Sequence, residues 1–184
     1  IPKASRVLYL APHPDDFDAV GITMRWFKEN RNPLSIAVVT SGASGVEDSY
    51  CSSGSWEVKG ESREREQAAA CRFFGLDEDQ VTFLRCDEDR GGHPEPTDNN
   101  VERLRQHIVG VHPDIVCLPH GNDPNIGHQR VYAMFKQIAA EAGYPIVALL
   151  NRDPKTVSMR ADLVMTFDKK EAEWKGALLR FHQS

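Results

Sequence analysis

Short runs of apolar residues recur along the chain, and turn residues bound each run. Most runs are continuous and rich in β-branched residues, which is typical of strands that are buried on both faces of a sheet. The pattern therefore predicts strands at residues 7–10, 34–39, 81–84, 115–118, 146–150 and 163–167.

The segments between these runs carry apolar residues at helical spacing, such as the shared face of Val20, Met24 and Phe27. The same spacing recurs at Val101, Leu104 and Ile108 and at Val131, Met134, Phe135 and Ile138. Strand and helix alternate throughout, which predicts an α/β fold with three α/β/α layers and a Rossmann-like, mostly parallel sheet. A chain of 184 residues is long enough for a full core, and we expect residues 1–184 to form a single domain. Because the chain begins at Ile1 rather than Met, we also expect it to lack its natural termini.

Composition narrows the classes of partner and compartment. The net charge of -5 and the lack of a basic run argue against a nucleic-acid partner. No apolar stretch approaches the roughly 18 residues that a membrane-spanning helix needs, so we expect no membrane span. The four cysteines are scattered without a CxxC pair, which favours a reducing, cytoplasmic setting.

Two polar loops, at residues 41–60 and 85–99, each follow a predicted strand. Sites in open α/β sheets gather at the carboxyl ends of the strands, so we expect both loops to border a functional site. In the first loop, Trp56 either covers a sugar ring or anchors the loop to the body of the domain. In the second loop, His93 lies between a glycine and a proline, and we expect it to be exposed beside the cleft.

The first predicted strand ends in an unusual stretch, APHPDDFDAVG, at residues 11–21. Two adjacent aspartates repel each other, and either a helix N-terminus or a bound cation would offset the repulsion. A helix N-cap explains one aspartate, but it does not explain His13, which lies between two prolines directly after a strand. His13 and Asp16 can bind one Zn²⁺ from a tight turn, which leaves Asp15 free to act on a metal-bound water.

A third metal ligand must come from another strand end, and residues 118–131, LPHGNDPNIGHQRV, are the best source. This segment also follows a predicted buried strand and opens a helix. It offers His120, Asp123 and His128. His128 lies at the start of the helix, where we expect its ring to face the rim of the sheet. A lone histidine before a helix is usually structural, but two strand ends with histidines favour a metal site.

Together these motifs resemble the LmbE / PIG-L family of zinc-dependent de-N-acetylases. The resemblance depends first on PHPDD at residues 12–16, followed by a late histidine that opens a helix. Residues 40–45, TSGASG, resemble the family's T-x-G-x-x-G turn, and residues 63–66, RERE, resemble its R-x-x-E helix. The terminal RFHQS resembles the family's last helix, cut short. The resemblance implies that His13, Asp16 and His128 are the zinc ligands and that Asp15 is the general base.

Two further residues match substrate-binding positions of the family. Arg63 corresponds to the arginine that contacts the substrate, and Asp89 corresponds to an aspartate that holds sugar hydroxyls. The helical spacing supports Arg63 independently, since Arg63 and Glu66 lie on a face that is otherwise largely apolar, and two charges on such a face are unusual. The alternatives are a buried Arg63–Glu66 ion pair that braces the helix, and a solvated loop carboxylate at Asp89.

The chain departs from the family pattern at two positions. Phe17 stands where the family has glutamate, and this removes a polar group that could orient the metal ligands. Asn125 stands where the family has a histidine that stabilises the tetrahedral intermediate or protonates the amine. Asparagine can donate a hydrogen bond to an oxyanion but cannot supply a proton. We therefore predict that Asp15 acts as both base and acid, with His120 as the alternative proton donor.

The resemblance implies zinc-dependent hydrolysis of an N-acetyl group from a small molecule or glycoconjugate that contains an amino sugar. Zinc would polarise the amide carbonyl, and its bound water would attack. One alternative is a zinc amidohydrolase for non-sugar amides, which would differ only in the two polar loops. The other is a metal-retaining sugar-binding protein without activity, which Phe17 and Asn125 favour.

The first predicted helix is apolar on a second side. Ile22 and Trp26 lie roughly opposite the face that contains Val20, Met24 and Phe27. A helix that is apolar on two sides needs cover on both of them. We therefore expect a homo-oligomer. The alternative is cover from a neighbouring loop or from the C-terminal segment of the same chain.

Overall fold

The structure is a computed structural model that describes residues 1–152 and 159–184. Its five strands form one parallel sheet in the order β3-β2-β1-β4-β5. The strands are β1 (Val7–Ala11), β2 (Leu34–Val38), β3 (Val81–Phe83), β4 (Ile115–Pro119) and β5 (Val147–Asn151). The predicted α/β class and the parallel sheet are confirmed. Each of these five strands lies within one residue of the run that predicted it.

Six helices connect and cover the strands within the described residues. They are α1 (Asp16–Ala19), α2 (Gly21–Glu29), α3 (Trp56–Phe74), α4 (Asp98–Val111), α5 (Ile126–Glu141) and α6 (Lys169–Leu179). Side-chain caps begin three of the longer ones: Ser55 caps α3, Thr97 caps α4 and Asn125 caps α5. None of the described helices is long and apolar enough to cross a membrane.

The sheet separates two hydrophobic layers because successive strand side chains point to opposite faces. On one face, Tyr9 of β1 packs in a cluster with Phe17, Met24 and Phe27. This cluster also takes in residues of α3 and α6. On the other face, Leu8 of β1 packs in a cluster formed with α4 and α5. The predicted apolar helix faces are confirmed, since each contributes buried residues to one of these two layers.

The order of the strands creates a switch point beside β1. The chain runs outward from β1 to β2 and β3, and then returns to place β4 on the other side of β1. β1 is hydrogen-bonded to both neighbours, with Val7 opposite Leu34 on one side and Ile115 on the other. In sheets of this kind a crevice forms between the two strands where the direction of winding reverses, at their carboxyl ends. That crevice lies after Ala11 of β1 and Pro119 of β4.

The sixth predicted strand is wrong. Residues 163–167 form no strand, and the side chains of Leu163, Val164 and Phe167 are 69%, 75% and 54% exposed. A short apolar run becomes a strand only where a neighbouring strand can accept its backbone hydrogen bonds. Here the segment pairs with no strand among the described residues, and it leads instead to Asp168, whose side chain caps α6.

The C-terminal helix supplies cover for the start of the chain. Helix α6 contacts α1, α2 and α3, and Leu178 is fully buried against them. The approach to α2 is close, because a Cβ atom on Gly21 would lie 2.8 Å from Leu178 Cδ2. Ile22 is buried within the single chain, whereas Trp26 remains 37% exposed. This cover corresponds to the alternative to oligomerisation, and the homo-oligomer stays a prediction.

Phe17 stabilises the layer that supports the switch point, and its removal tests that role. The ring is fully buried, with its centroid 5.9 Å from that of Tyr9 and 5.0 Å from that of Phe74. We expect Phe17→Ala to lower the free energy of unfolding by about 3–5 kcal/mol, because it leaves a cavity in the core. Denaturant unfolding followed by circular dichroism measures the change. The exposed Phe167→Ala serves as control and should change the value by about 0.5 kcal/mol at most. A similar loss in both variants would contradict the assignment.

Candidate metal centre

The turn after β1 directs two side chains toward each other. His13 and Asp16 lie in this turn, where the backbone N–H of His13 donates to Asp16 Oδ2 at 2.8 Å. The Asp16 carboxylate also lies 3.3 Å from His13 Nδ1. Asp15 occupies the cap position of α1 but makes no capping hydrogen bond through its side chain. The turn is therefore not a simple aspartate N-cap, since both carboxylates face other partners.

The carboxyl end of β4 brings a second histidine to the same place. His128 lies in the first turn of α5, and its Nε2 is 3.1 Å from Asp16 Oδ1. One ligand atom from each of His13, Asp16 and His128 lies within 4.8 Å of the others. Gly127 permits this approach, because a Cβ atom there would lie 2.7 Å from His13 Nε2. Two imidazoles and a carboxylate thus converge at the switch point.

Side chains of the loop before α5 hold His128 in position. Asn125 accepts hydrogen bonds from the N–H groups of Gly127, at 2.8 Å, and of His128, at 3.4 Å. Asp123 is buried, and its Oδ2 lies 3.0 Å from His128 Nδ1. The Oδ1 atom of Asp123 accepts from the N–H of Asn125 at 2.8 Å. The ring of His128 is therefore oriented by one carboxylate on each nitrogen.

Electrostatics at the cluster favour a bound positive charge. Burial by itself raises the pKa of Asp16, but hydrogen bonds from His128 and His13 outweigh it and hold the pKa well below its ordinary value. Burial lowers the pKa of His128, yet Asp16 and Asp123 reverse this effect and raise the pKa to about 9. The two carboxylates thus favour a positive charge on the cluster, and a metal cation can supply that charge.

The donor set fits zinc. Three protein ligands drawn from histidine and a carboxylate, with a further position for water or substrate, form the usual pattern of a catalytic zinc site. A ligating histidine commonly donates its other ring N–H to a carboxylate, and Asp123 stands in that relation to His128. His13, Asp16 and His128 are therefore the residues that could hold the metal.

Asp15 lies beside the cluster and remains partly open to solvent. Its side chain is 45% exposed, and its Oδ2 accepts a hydrogen bond from Arg63 Nη2 at 3.0 Å. Its backbone N–H donates to Gln67 Oε1 at 2.7 Å, and its φ of 95° is in the left-handed region. Burial and the charge of Asp16 raise the pKa of Asp15, and Arg63 offsets part of this rise. The result is a carboxylate with increased basicity that water can reach.

Arg63 braces the metal turn rather than its own helix. The residue is buried, and its Nη2 donates both to Asp15 and to the carbonyl oxygen of Pro14, at 2.7 Å. The alternative of an Arg63–Glu66 ion pair is wrong. Glu66 instead accepts hydrogen bonds from Tyr50 and from the C-terminal Ser184. Contact of Arg63 with a substrate stays a prediction.

Asp89 and His120 already have partners within the chain. Asp89 Oδ2 accepts from Arg130 Nη1 at 2.6 Å, and this hydrogen bond is the main reason that the pKa of Asp89 falls to about 2. The Nδ1 atom of His120 accepts from the N–H of Asn122 at 3.0 Å, and the ring stacks on Tyr132. His120 does not belong to the metal-binding cluster found among the described residues. A role for Asp89 toward sugar hydroxyls stays a prediction.

A cleft of about 620 Å³ runs along the two polar loops. It is lined by residues of both loops and of α3, including Ser41, Trp56, Glu61, Glu88 and Asp89. The indole of Trp56 is 41% exposed. The segment after β2 links one wall of the cleft to the metal turn, since Ser41 N–H donates to Glu88 and the Thr40 hydroxyl donates to the carbonyl oxygen of Pro12. The lining of the cleft does not include His13, Asp16 or His128.

His93 lies closer to the metal-binding cluster than its position in the sequence predicts. The residue is partly buried rather than exposed, and its ring centroid lies 6.5 Å from that of His13. Its Nδ1 atom is buried and has no hydrogen-bond partner among the described residues. Only its position in the loop after β3 indicated that His93 could lie near the site. No pattern along the sequence relates His93 to His13.

A buried polar chain beneath the site was also missed. Asp18 is fully buried, and its Oδ2 contacts His182 Nε2 and accepts from Gln67 Nε2. Burial raises the pKa of Asp18, and His182 and Gln67 partly offset the rise. Gln67 also accepts a hydrogen bond from the backbone N–H of Asp15. These hydrogen bonds therefore connect His182, near the C-terminus, to the turn that contains the metal-binding cluster.

Several solved structures have a similar fold, and they are named as different enzymes. The N,N'-diacetylchitobiose deacetylase from Pyrococcus horikoshii is 17% identical with a TM-score of 0.76, over 98% of this chain and 70% of that protein. The 4-carboxy-2-hydroxymuconate hydratase GalB from Pseudomonas putida is 19% identical, and it matches with a TM-score of 0.73 over 97% of this chain and 79% of that protein. The A40926 pseudoaglycone deacetylase Dbv21 is 15% identical, and it matches with a TM-score of 0.70 over 97% of this chain and 81% of that protein. At these identities the likeness establishes the fold.

A match to a family model establishes the family of this chain as well as its fold. No curated protein matches the chain in sequence. The PIG-L family model, described as GlcNAc-PI de-N-acetylase, matches residues 8–139, which include both strand ends of the metal-binding cluster and most of the fold. The chain therefore belongs to the PIG-L family.

Proposed function

We propose that this protein is a zinc-dependent de-N-acetylase that hydrolyses the N-acetyl group of an amino-sugar-containing small molecule or glycoconjugate. The observation that carries the proposal is the convergence of His13, Asp16 and His128 beside Asp15, at the switch point of the sheet. Membership of a family described as GlcNAc-PI de-N-acetylase supports the reaction class. The cleft between α3 and the loops that follow β2 and β3 offers room for a sugar.

The structural neighbours support an N-acetylated sugar as substrate. Two of them are named as deacetylases, one of N,N'-diacetylchitobiose and one of the A40926 pseudoaglycone. GalB is named as a hydratase, so the fold also serves addition of water to another kind of molecule. The choice between these reactions depends on the residues around the cluster. Here the carboxylate pair of Asp15 and Asp16 suits metal-dependent amide hydrolysis, in which a metal ligand and a general base act together.

Zinc, when bound, supplies a Lewis acid that polarises the amide carbonyl and increases the acidity of water. Asp15 accepts a proton from the attacking water, whose oxygen forms a bond to the acyl carbon. The C–N bond then breaks, and Asp15 returns the proton to the amine nitrogen. The products are the free amine and acetic acid, which ionises to acetate. One carboxylate thus acts as base and then as acid, with His120 as the alternative donor.

Arg63 and Gln67 position Asp15 for these transfers. Arg63 donates to one carboxylate oxygen of Asp15, which leaves the other oxygen for the proton. Gln67 accepts from the backbone N–H of Asp15 and stabilises its left-handed conformation. A non-glycine residue in that region carries strain, and such strain persists where surrounding contacts determine it. Both partners lie on α3, so the helix sets the distance between the base and the metal cluster.

The test of the proposed function is acetate release from N-acetylglucosamine, N,N'-diacetylchitobiose and a non-sugar acetamide by the zinc-loaded protein. We expect release from the sugars. Asp15→Asn should lower kcat by about 10²–10⁴-fold, the usual contribution of a positioned base. Exposed Asp162→Asn is the control and should retain activity. Release only from the non-sugar amide would indicate a general amidohydrolase, and sugar binding without release would indicate a binding protein.

The metal assignment has its own test, in which metal content is measured after gel filtration. We expect one zinc per chain in the unaltered protein and a strong reduction in His128→Ala, because an imidazole ligand is lost. Asp123→Asn should weaken zinc binding by about 10–100-fold through its effect on His128. His120→Ala is the matched control and should retain the metal. Full retention in His128→Ala, with loss in His120→Ala, would reassign the third ligand.

The charge of Arg63 predicts a change in pH dependence. Arg63 lowers the pKa of Asp15, so Arg63→Met should raise it. A base with a higher pKa stays protonated to higher pH, and the acidic limb of the kcat/KM profile should therefore move to higher pH. Arg65→Met, an exposed charge on the same helix, should leave the limb unchanged. An unmoved limb in Arg63→Met would show that the acidic limb does not report Asp15.

A further inference from the structure

His93 is the one imidazole near the metal-binding cluster to which the proposed mechanism gives no task, among the described residues. Its ring centroid lies 6.5 Å from that of His13, with an interplanar angle of 67°. Its Nδ1 atom is buried and has no hydrogen-bond partner, whereas its Nε2 atom is not buried and makes no hydrogen bond to any residue that the structure describes. A ring held this close to a candidate metal ligand, with one free nitrogen, is placed to meet a substrate.

A tight hairpin fixes the position of His93. Glu88 and Pro94 form an antiparallel bridge, and the N–H of Asp89 donates to the carbonyl oxygen of His93 at 2.9 Å. The Asp89 carboxylate accepts in return from the N–H of His93 at 3.1 Å. Arg130 of α5 then binds both Asp89 and the carbonyl oxygen of Pro94, at 2.6 and 3.2 Å. The hairpin is thus attached to the helix that carries His128.

The same hairpin extends from the cleft to the metal-binding cluster. Glu88 and Asp89 line the cleft, whereas His93 reaches the ring of His13. Gly91 keeps one edge of the His93 ring uncovered, because a Cβ atom at Gly91 would lie 3.2 Å from Cδ2 and 3.5 Å from Nε2. A substrate that extends from Glu88 and Asp89 in the cleft to the metal-binding cluster would therefore follow the hairpin that carries His93.

The tautomer of His93 follows from the burial of Nδ1. A buried N–H without a partner costs more than a buried lone pair without one, so the proton belongs on Nε2. Neutral imidazole then presents a single N–H donor, on its accessible nitrogen.

The reaction needs such a donor. Negative charge develops on the acyl oxygen when water adds to an amide, and preorganised N–H donors stabilise it. Arg63 Nη2 already binds Asp15, and Asn125 Oδ1 caps α5, whereas Asn125 Nδ2 and His120 Nε2 are the alternative donors. The geometry points to His93 as the residue that donates from Nε2 to the acyl oxygen of the N-acetyl group. This inference rests on the proposed function.

The test compares His93→Leu, which has no donor, with His93→Gln, which has an amide N–H. We expect His93→Leu to lower kcat for acetate release from N,N'-diacetylchitobiose by about 10²–10³-fold, as for loss of one oxyanion donor, with a smaller rise in KM. His93→Gln should recover part of the rate. Zinc content should stay equal in all three proteins, and the exposed Asp162→Asn should retain the rate. Unchanged kcat in His93→Leu, or a loss of zinc that accounts for the loss of rate, would overturn the inference.

A second measurement does not depend on turnover. In the metal-free protein, the Kd of N-acetylglucosamine should rise in His93→Leu, whereas the Kd of glucosamine, which lacks the acyl oxygen, should not change. Gly91→Ala should have the same selective effect by crowding Nε2, and it provides the test if His93→Leu does not fold. An equal change for both sugars, or none, would overturn the inference. Absence of acetate release by the unaltered protein, with selective binding retained, would contradict the proposed function and leave the His93 contact in place.

Discussion

The carboxylate of Asp16, shared between two histidines, is the interaction on which the candidate site depends. One oxygen lies 3.3 Å from His13 Nδ1 and the other lies 3.1 Å from His128 Nε2. A buried charge is costly unless it is paired, and here the two partners come from the ends of two adjacent strands. Asp16 thus joins the turn after β1 to the first turn of α5, and the strand order of the sheet makes that meeting possible.

The residues around Asp16 form a continuous polar network rather than separate contacts. Helix α3 supplies Arg63 and Gln67 to Asp15, and Gln67 also reaches Asp18, which contacts His182. Hydrogen bonds in a low-dielectric interior are strong when satisfied and costly when broken. The position of the base therefore depends on α3 and on the C-terminal residues as well as on its own turn.

The two departures from the family pattern have structural explanations. Phe17 packs between Tyr9 and Phe74 in the core, so a glutamate here would meet apolar rings rather than the metal-binding cluster. Asn125 uses its side-chain oxygen to cap α5 and so sets the first turn that contains His128. Phe17 thus replaces a polar side chain with an apolar one, Asn125 replaces an imidazole with an amide, and both residues stabilise the support of the site.

Local patterns in the sequence were sufficient for five strands, the buried helix faces and the motif that contains His13, because periodicity and short motifs are properties of neighbouring residues. The tertiary structure decided the rest. Residues 163–167 lack a strand partner, Arg63 binds Asp15 rather than its helical neighbour Glu66, and His93 lies beside His13 from a distant loop. These outcomes depend on which distant segments the folded sheet brings together, and no local pattern encodes that choice.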